Sequence, residues 1–489
     1  MKSIIMKVVS CLVTMIITII ILSRFSDIMQ RKASDYKYIP FFKHAEDIDV
    51  LFLGTSHMLN AVYPMELWKE YGITSYNFGG HSTPIPTDYW ILENALDYAN
   101  PKAVVVDCMM VSGGGKTSSS YEHISTDAFP LTTTKIRAVF DLLDDTVLFR
   151  NDIGDEAIDK EDDNKKEKLT RLGLIWDYSV YHDRWEAIGK DDFVQDSTVE
   201  YGAESRIKIM APGTIVENPG DKIKEETNGI KYLERIIKEC QSRGIVVVLT
   251  YLPFPNDNKN KWREANTVKD ISKKYNVLYI DFLENDIVDF ETDCHDPNSH
   301  LNPSGAFKIT DYIGVLLRNE YEIPDHRGDE RFAYWNDDYN TYADSKKKRL
   351  NEIEDLNTFL MLLEDREYDY VMSVGDQRIF EDSTTIKLLK NKGIDTQKIE
   401  NTTQYIMVRN GQSVLTSNIN DIESKMPDID ENDIRYEDNK IRVIVFKSGD
   451  NSQIVNISEF YTPKEIKIGE KKPAADGLIY LDSKAIRLR

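Results

Sequence analysis

A serine that ends an apolar run near the start of the chain, and a histidine set behind an aspartate far downstream, are the residues whose types and placing could do chemistry. Gly54-Thr55-Ser56-His57 closes the run IDVLFL, and in open α/β sheets ligands bind beyond the carboxyl ends of the strands. A serine there, facing the N-terminal amides of the next helix, is placed to attack a carbonyl carbon. Taken alone, Gly-Thr-Ser after a strand reads equally as a turn and a helix N-cap. The segment DCHDPNSHLNPSGA, starting at Asp293 and carrying His300, Leu301, Asn302 and Gly305, supplies what the serine lacks. A serine hydroxyl is a poor nucleophile at neutral pH, and His300 takes its proton only if its other ring nitrogen is held by a carboxylate. Asp296, four residues earlier, is the first candidate for that carboxylate, and Asp293 is the alternative. Asp293, Cys294, His295, Asp296 and His300 can also be read as metal ligands, but their spacing fits no zinc signature. The aspartates would also serve to cap the turn before a helix at 303. His57 and His81 read as polar rim residues of such a site.

Positioning these residues calls for a sheet. Short apolar runs at 48–57, 75–80, 101–111, 244–255 and 277–282 alternate with helix-like stretches at 64–71, 87–99, 222–243, 259–275 and 303–319. That alternation predicts a parallel sheet with helices on both faces, a three-layer α/β domain over 46–325. Residues 112–220 break the pattern: they begin SGGGKTSSS, are rich in Asp and Lys around 151–168, and read as a long insertion with some helix. A polar, aromatic linker at 326–345 leads to a second unit over 346–489. There a charged helix (346–365), a strand (370–377), a helix (383–394), a hairpin (403–414) and two strands (440–446 and 453–460) predict a small α+β domain. Asn410-Gly411 marks the hairpin turn.

The chain has 489 residues and a net charge of −22. Such an acidic balance argues against nucleic-acid binding, which needs a basic surface to displace counterions from phosphates. Residues 4–22, IIMKVVSCLVTMIITIIIL, span a hydrocarbon core of ~30 Å as a helix. SRFSDIMQRKAS follows, with no small-residue cleavage pattern, so 1–23 reads as an uncleaved transmembrane anchor and 24–45 as its connector. Lys2 and Lys7 precede the span while Arg24, Arg31 and Lys32 follow it, leaving the charge rule for orientation nearly silent. Four cysteines without regular spacing, one of them in the span, form no disulfide framework. With no G-x-G-x-x-G opening a helix and no P-loop, nothing calls for a nucleotide, nicotinamide or metal cofactor.

Together these blocks resemble the SGNH (GDSL-like) hydrolase superfamily over roughly residues 46–320. Gly54-Thr55-Ser56 is similar to its first block, Asn77-Phe78-Gly79-Gly80 to its glycine-bearing second block, and His300-Leu301-Asn302 with Gly305 to its last. The resemblance implies Ser56 as nucleophile, His300 as base, Asp296 as orienter, and the amides of Ser56 and Gly79 or Gly80 as oxyanion donors. Two positions depart from the pattern. The family aspartate stands three residues before the histidine, where this chain has Pro297, and VVVDCMMV offers Asp107 but no asparagine for the third block. The layout is similar to the membrane-anchored branch that includes teichoic acid D-alanylation and alginate O-acetylation proteins. That likeness implies a single-pass cell-membrane protein with its catalytic domain outside the cytoplasm. It would be a serine O-acyltransferase whose acceptor is a cell-envelope polysaccharide or teichoic acid-like polymer, working beside a multispanning membrane-bound O-acyltransferase. A carbohydrate esterase with the same triad, or a non-catalytic membrane scaffold, are the alternatives. The tail faintly resembles the interleukin-like (GG-type) domain of some surface carbohydrate-active proteins, which implies an accessory binding role.

Overall fold

The computed structural model describes residues 2–30, 39–113, 129–142, 171–176, 200–210, 217–254, 259–426 and 433–461, with Thr126, Trp185, Ile188 and Gly189 as isolated positions. Helix α1 (Lys2–Gln30) carries the apolar run in one piece. Its segment Ile4–Ser26 is long and apolar enough to cross a membrane, and residues 4–21 are exposed along their whole length while Ser26 at the end is buried. The short α2 (Ile39–His44) seats the connector on the domain: the Phe41 ring lies edge-on to Tyr76 and Phe78 at 5.3 and 4.8 Å, and Phe42 meets Phe129 at 5.5 Å.

Five parallel strands form the main sheet: β1 (Val50–Leu53), β2 (Ser75–Asn77), β3 (Ala103–Asp107), β4 (Val246–Tyr251) and β5 (Leu278–Asp281), in the order β2-β1-β3-β4-β5. Their β-branched runs suit strands buried on both faces, and alternation sends neighbouring side chains into different cores. Leu51, Leu53, Val104 and Val106 enter a core with Trp90 of α5 (Ile85–Leu96), Ile236 of the helix at 228–242 and Val268 of the helix at 259–275. Val50, Phe52, Val105 and Val248 face the other way, onto Leu67 of α4 (Pro64–Tyr71) and onto Ile309 and Ile313 of the helix at 303–320. Between β1 and α4 lies one short helix, α3 (Ser56–Ala61).

No strand occurs among the described residues of the 112–220 insertion, which contributes α6 (Thr133–Leu142) and α7 (Arg171–Ile175). Its SGGGKTSSS tract beyond 113 and the charged stretch at 151–168 lie outside the described residues. Residues 200–210 return as a strap along the carboxyl end of the sheet. Tyr201 stacks on Trp335 at 4.2 Å and accepts the Asn77 amide through its carbonyl at 3.0 Å; farther on, the Met210 amide donates to the Cys294 carbonyl at 2.9 Å. The remaining helices of the first domain are α8 (Asn228–Ser242), α9 (Lys259–Tyr275) and α10 (Pro303–Glu320).

The stretch expected to be a linker is not one. α11 (Ala333–Leu350) occupies it, and Phe332, Trp335, Tyr339 and Tyr342 are buried in the first domain's core. Their 3-4-3 spacing is helical periodicity written in aromatic residues. The helix expected over 346–365 breaks at residues 351–355, because its charged first part completes α11 and the apolar LNTFLML restarts as α12 (Leu356–Leu362) behind the Asp355 cap. Beyond it, β6 (Tyr368–Val374), α13 (Ser383–Asn391), β7 (Tyr405–Arg409), β8 (Gln412–Thr416), α14 (Ile419–Glu423), β9 (Lys440–Lys447) and β10 (Asp450–Tyr461) form an antiparallel sheet of order β10-β9-β6-β7-β8 with helices packed on it. At the β7–β8 turn both Asn410 (φ 47°) and Gly411 (φ 73°) are left-handed, the backbone a two-residue hairpin of this twist requires.

A buried cation joins the two domains. Lys346 Nζ lies 2.8 Å from Glu66 of α4, 2.7 Å from Asp365 and 2.9 Å from Glu367, and its side chain is 9% exposed. Replacing it with methionine leaves Glu66 and Asp365 without their cation in a low-dielectric junction, while Glu367 keeps Lys69 at 2.8 Å. Removing one partner of a buried ion pair costs about 3–5 kcal/mol, so Lys346→Met is expected to lose stability on that scale in urea unfolding, with the tail melting ahead of the α/β domain in calorimetry.

Candidate active site

The site begins with a glycine that nothing else could replace. Gly54 has φ +144°, and a Cβ there would stand 2.7 Å from Asp107 Cβ. Its absence lets the end of β1 lie against the end of β3 before the chain turns into α3. Thr55 caps that helix, its Oγ1 accepting the His57 amide at 3.3 Å. Ser56 is thus the first helical residue, where backbone amides have no intrahelical acceptor. Asn77, at the end of β2, pins the helix from below: its Nδ2 donates to the carbonyls of Met58 and Val62, both at 2.8 Å.

His300 comes to Ser56 on a small hairpin. Cys294 and Leu301 pair as an antiparallel bridge, the His295 amide donates to the His300 carbonyl at 2.9 Å, and the Ser299 amide donates to the Asp296 carbonyl at 3.1 Å. Asp296-Pro297-Asn298-Ser299 is therefore a tight turn with proline at its second position, where its fixed φ fits. The Asp296 carboxylate accepts the Asn298 amide at 2.9 Å, and Ser299 is left-handed at φ 68°. This extra residue curls the chain back so that the fourth residue on, not the third, faces the aspartate.

The result is a chain of two hydrogen bonds. Ser56 Oγ lies 2.7 Å from His300 Nε2, and His300 Nδ1 lies 2.6 Å from Asp296 Oδ2. Burial opposes ionisation of Asp296, but its hydrogen bond to His300 and that residue's charge outweigh it and hold the pKa at about 2. Asp293 is elsewhere. Fully buried, it accepts Ser304 Oγ at 2.8 Å, Lys308 Nζ at 2.7 Å and the Asp289 amide at 2.7 Å. Asn302 ties the hairpin to α10 and to the strap, its side chain accepting the Gly305 amide and donating to the carbonyls of Thr292 at 2.7 Å and Lys208 at 3.1 Å.

Two further imidazoles flank His300. His57 is stacked against it at 4.3 Å between ring centroids, and His295 lies at 5.6 Å with an interplanar angle of 18°. Burial, with the His300 charge adding to it, pushes His57 well below the ordinary histidine value, and its ring hydrogen-bonds the Pro253 backbone. Burial also lowers His295, to about 4. His57 is thus buried beside the base rather than on a polar rim. His81 is partly exposed and lies 3.8 Å from Glu204. The contact of His57 with His300 was not legible in the sequence, although its place directly after the serine was a usable signal.

The expected glycine oxyanion donors are not free in this arrangement. The Gly79 amide donates to Asn77 Oδ1 at 2.8 Å and the Gly80 amide to the Gly54 carbonyl at 2.9 Å. Of the three amides anticipated, Ser56's alone has no such bond, because it opens α3. Of the five residues that could be read as metal ligands, Cys294 is buried in a hydrophobic core and Asp293 is held by Lys308. The donor atoms of His295, Asp296 and His300 lie within 4.8 Å of one another, but the Asp296–His300 hydrogen bond occupies two of them. A cavity of about 600 Å³ is lined by α10 and tail residues such as Phe307, Tyr312 and Arg366 and does not include Ser56.

No protein-family model matches the chain, and no curated protein matches it.

Asp107, at the third-block position, is wholly buried beneath Thr55 and accepts the Leu252 amide at 3.1 Å. Burial raises its pKa to about 7, against the bonds from the Leu252 and Met109 amides and the charge of Lys261, with Glu264 assisting the rise. The unfolded chain releases this proton at the lower, ordinary carboxyl value. Between the two values the folded state therefore binds more protons, and stability falls as pH rises. Asp107→Asn mimics the protonated acid. It is expected to raise the melting temperature by several degrees at pH 8, by clearly less at pH 5, where the window has only begun to be crossed, and hardly at all below the ordinary carboxyl value, as read by calorimetry across that range.

Proposed function

We propose that this chain is a membrane-anchored, extracytoplasmic serine acyl-transfer enzyme of the SGNH type. The observation that carries the reading is the unbroken Ser56–His300–Asp296 relay, at 2.7 and 2.6 Å, at the carboxyl end of a parallel sheet. Ser56 Oγ attacks an acyl carbonyl as His300 Nε2 removes its proton. Asp296 holds the ring in the required tautomer and stabilises the imidazolium. The Ser56 amide donates to the developing oxyanion, and His300 returns the proton to the leaving group. A second alcohol, deprotonated by His300, then takes the acyl group from the serine, and His300 returns that proton to the departing Ser56 Oγ. The acceptor class we assign is a hydroxyl of a cell-envelope polysaccharide or teichoic acid-like polymer, with a multispanning membrane-bound O-acyltransferase as donor partner. The sequence blocks around Ser56 and His300 and the apolar α1 support this assignment. Water in place of the alcohol gives the esterase alternative with the same residues. The bonded amides of Gly79 and Gly80 favour a third reading, a non-catalytic scaffold that keeps the fold.

Labelling of the full-length protein by a fluorophosphonate probe tests the reading. Wild type is expected to label at Ser56, Ser56→Ala not at all, and His300→Ala and Asp296→Asn more slowly by about 10²–10⁴, with no effect of a chelator. A folded wild type that fails to label, or that labels independently of His300, contradicts the enzyme and favours the scaffold. His57→Ala is expected to slow labelling about tenfold by freeing one face of the His300 ring, a contact worth about 0.5–1.5 kcal/mol. His57→Phe, which restores a ring, is expected to recover most of the rate.

A further inference from the structure

Outside α1, eight large apolar side chains are exposed among the described residues, and five of them, Leu131, Ile136, Phe140, Trp185 and Ile188, fall in the insertion. Three lie on or just before one helix. Leu131 precedes α6 and is 62% exposed, while Ile136 and Phe140, one turn apart on its outer face, are 39% and 49% exposed. The opposite face is buried, through Thr134, Lys135, Ala138 and Val139. α6 is also firmly held: Asp141 accepts Trp90 Nε1 at 2.7 Å and Arg235 at 3.2 Å, and Lys135 Nζ donates to the Phe129 carbonyl at 2.9 Å. A fixed helix that turns apolar residues outward, with the exposed Arg137 between them, has the make-up of a helix lying in a membrane interface.

Its place in the fold points to the same occupant. Phe129, two residues before Leu131, packs against Phe42 of α2 at 5.5 Å. Only residues 31–38 separate α2 from the end of α1, a tether of at most about 28 Å. The exposed face therefore starts beside the point at which the anchor delivers the domain. We infer that the outer face of α6 rests on the lipid surface, with Leu131, Ile136 and Phe140 among the headgroups and upper acyl carbons. The domain then has a second membrane contact that fixes its rotation about the tether. This inference depends on α1 being a retained anchor.

The test uses the full chain in nanodiscs containing spin-labelled lipids, with an environment-sensitive fluorophore on single cysteines. Cys108, Cys240 and Cys294 are buried, and Cys11 of α1 is exposed, so the native chain reports on the anchor alone. In a Cys11→Ser background, Ile136→Cys and Phe140→Cys probe α6, and Ile454→Cys, an exposed site on β10, is the control; melting temperatures verify folding. Labels at 136 and 140 are expected to be quenched at least threefold more than at 454 by lipids labelled near the headgroup, and Cys11 by lipids labelled deep in the chain. Quenching at 136 and 140 equal to that at 454, with Cys11 still deeply quenched, overturns the membrane-resting face and leaves the anchor standing. A blue-shifted but unquenched label at 136 or 140 overturns it too, in favour of a protein covering that face. An unquenched Cys11 overturns the anchor, and the inference with it.

Discussion

Everything at this site depends on a carboxylate facing a ring four residues later in the chain. A histidine that must accept a proton on one nitrogen has to be held at the other, and the holding group must already be charged. The turn through Pro297 and the left-handed Ser299 achieves this locally. The rest of the first domain then has one task, which is to bring Ser56, 244 residues away in sequence, to within hydrogen-bonding distance. The strained Gly54, the Thr55 cap and the Asn77 bonds set the serine's side. The Asn302 bonds and the buried Asp293 set the histidine's.

Much of this was readable beforehand, for physical reasons. The five strands announce themselves because a parallel sheet covered on both faces needs continuous apolar runs, and Asn410-Gly411 fixes a hairpin because few residue pairs tolerate two left-handed positions. Ser56, His300 and Asp296 could be singled out because few residue types can serve as nucleophile, base and orienter in the proposed chemistry, and the structure places the three in one hydrogen-bonded chain. What sequence spacing could not resolve was which aspartate serves. Asp293 and Asp296 differ only in which way a turn points them, and Lys308, fifteen residues after Asp293, decides it. The glycine amides were equally beyond reach, since their acceptors, Asn77 Oδ1 and the Gly54 carbonyl, are chosen by tertiary contact. The missed α11 is a different case. Its aromatic residues at 332, 335, 339 and 342 carry the helical period, but surrounding Asp, Asn and Tyr disguise it as a polar linker.

The tail is wired into the end of the sheet that carries the candidate site as well as packed beside it. Glu364, just before β6, reaches Ser304 at 2.5 Å and sits 3.7 Å from Lys308, the two groups that also hold Asp293 in the hairpin. Lys346 fastens the same junction from the side of α4. Two units that look separable by sequence pattern thus share one buried polar seam, and networks of this kind stand or fall as a whole.

The flanking imidazoles have a consequence for how a proton travels. His57 and His295 are both held uncharged by burial, and each lies face to face with His300. A proton arriving at the central ring meets two neighbours that burial keeps uncharged and one carboxylate already committed to a hydrogen bond. The hydrogen bonds of that ring run to two oxygens only, the Asp296 carboxylate on one side and the Ser56 hydroxyl on the other, so neither flanking imidazole competes for its nitrogens.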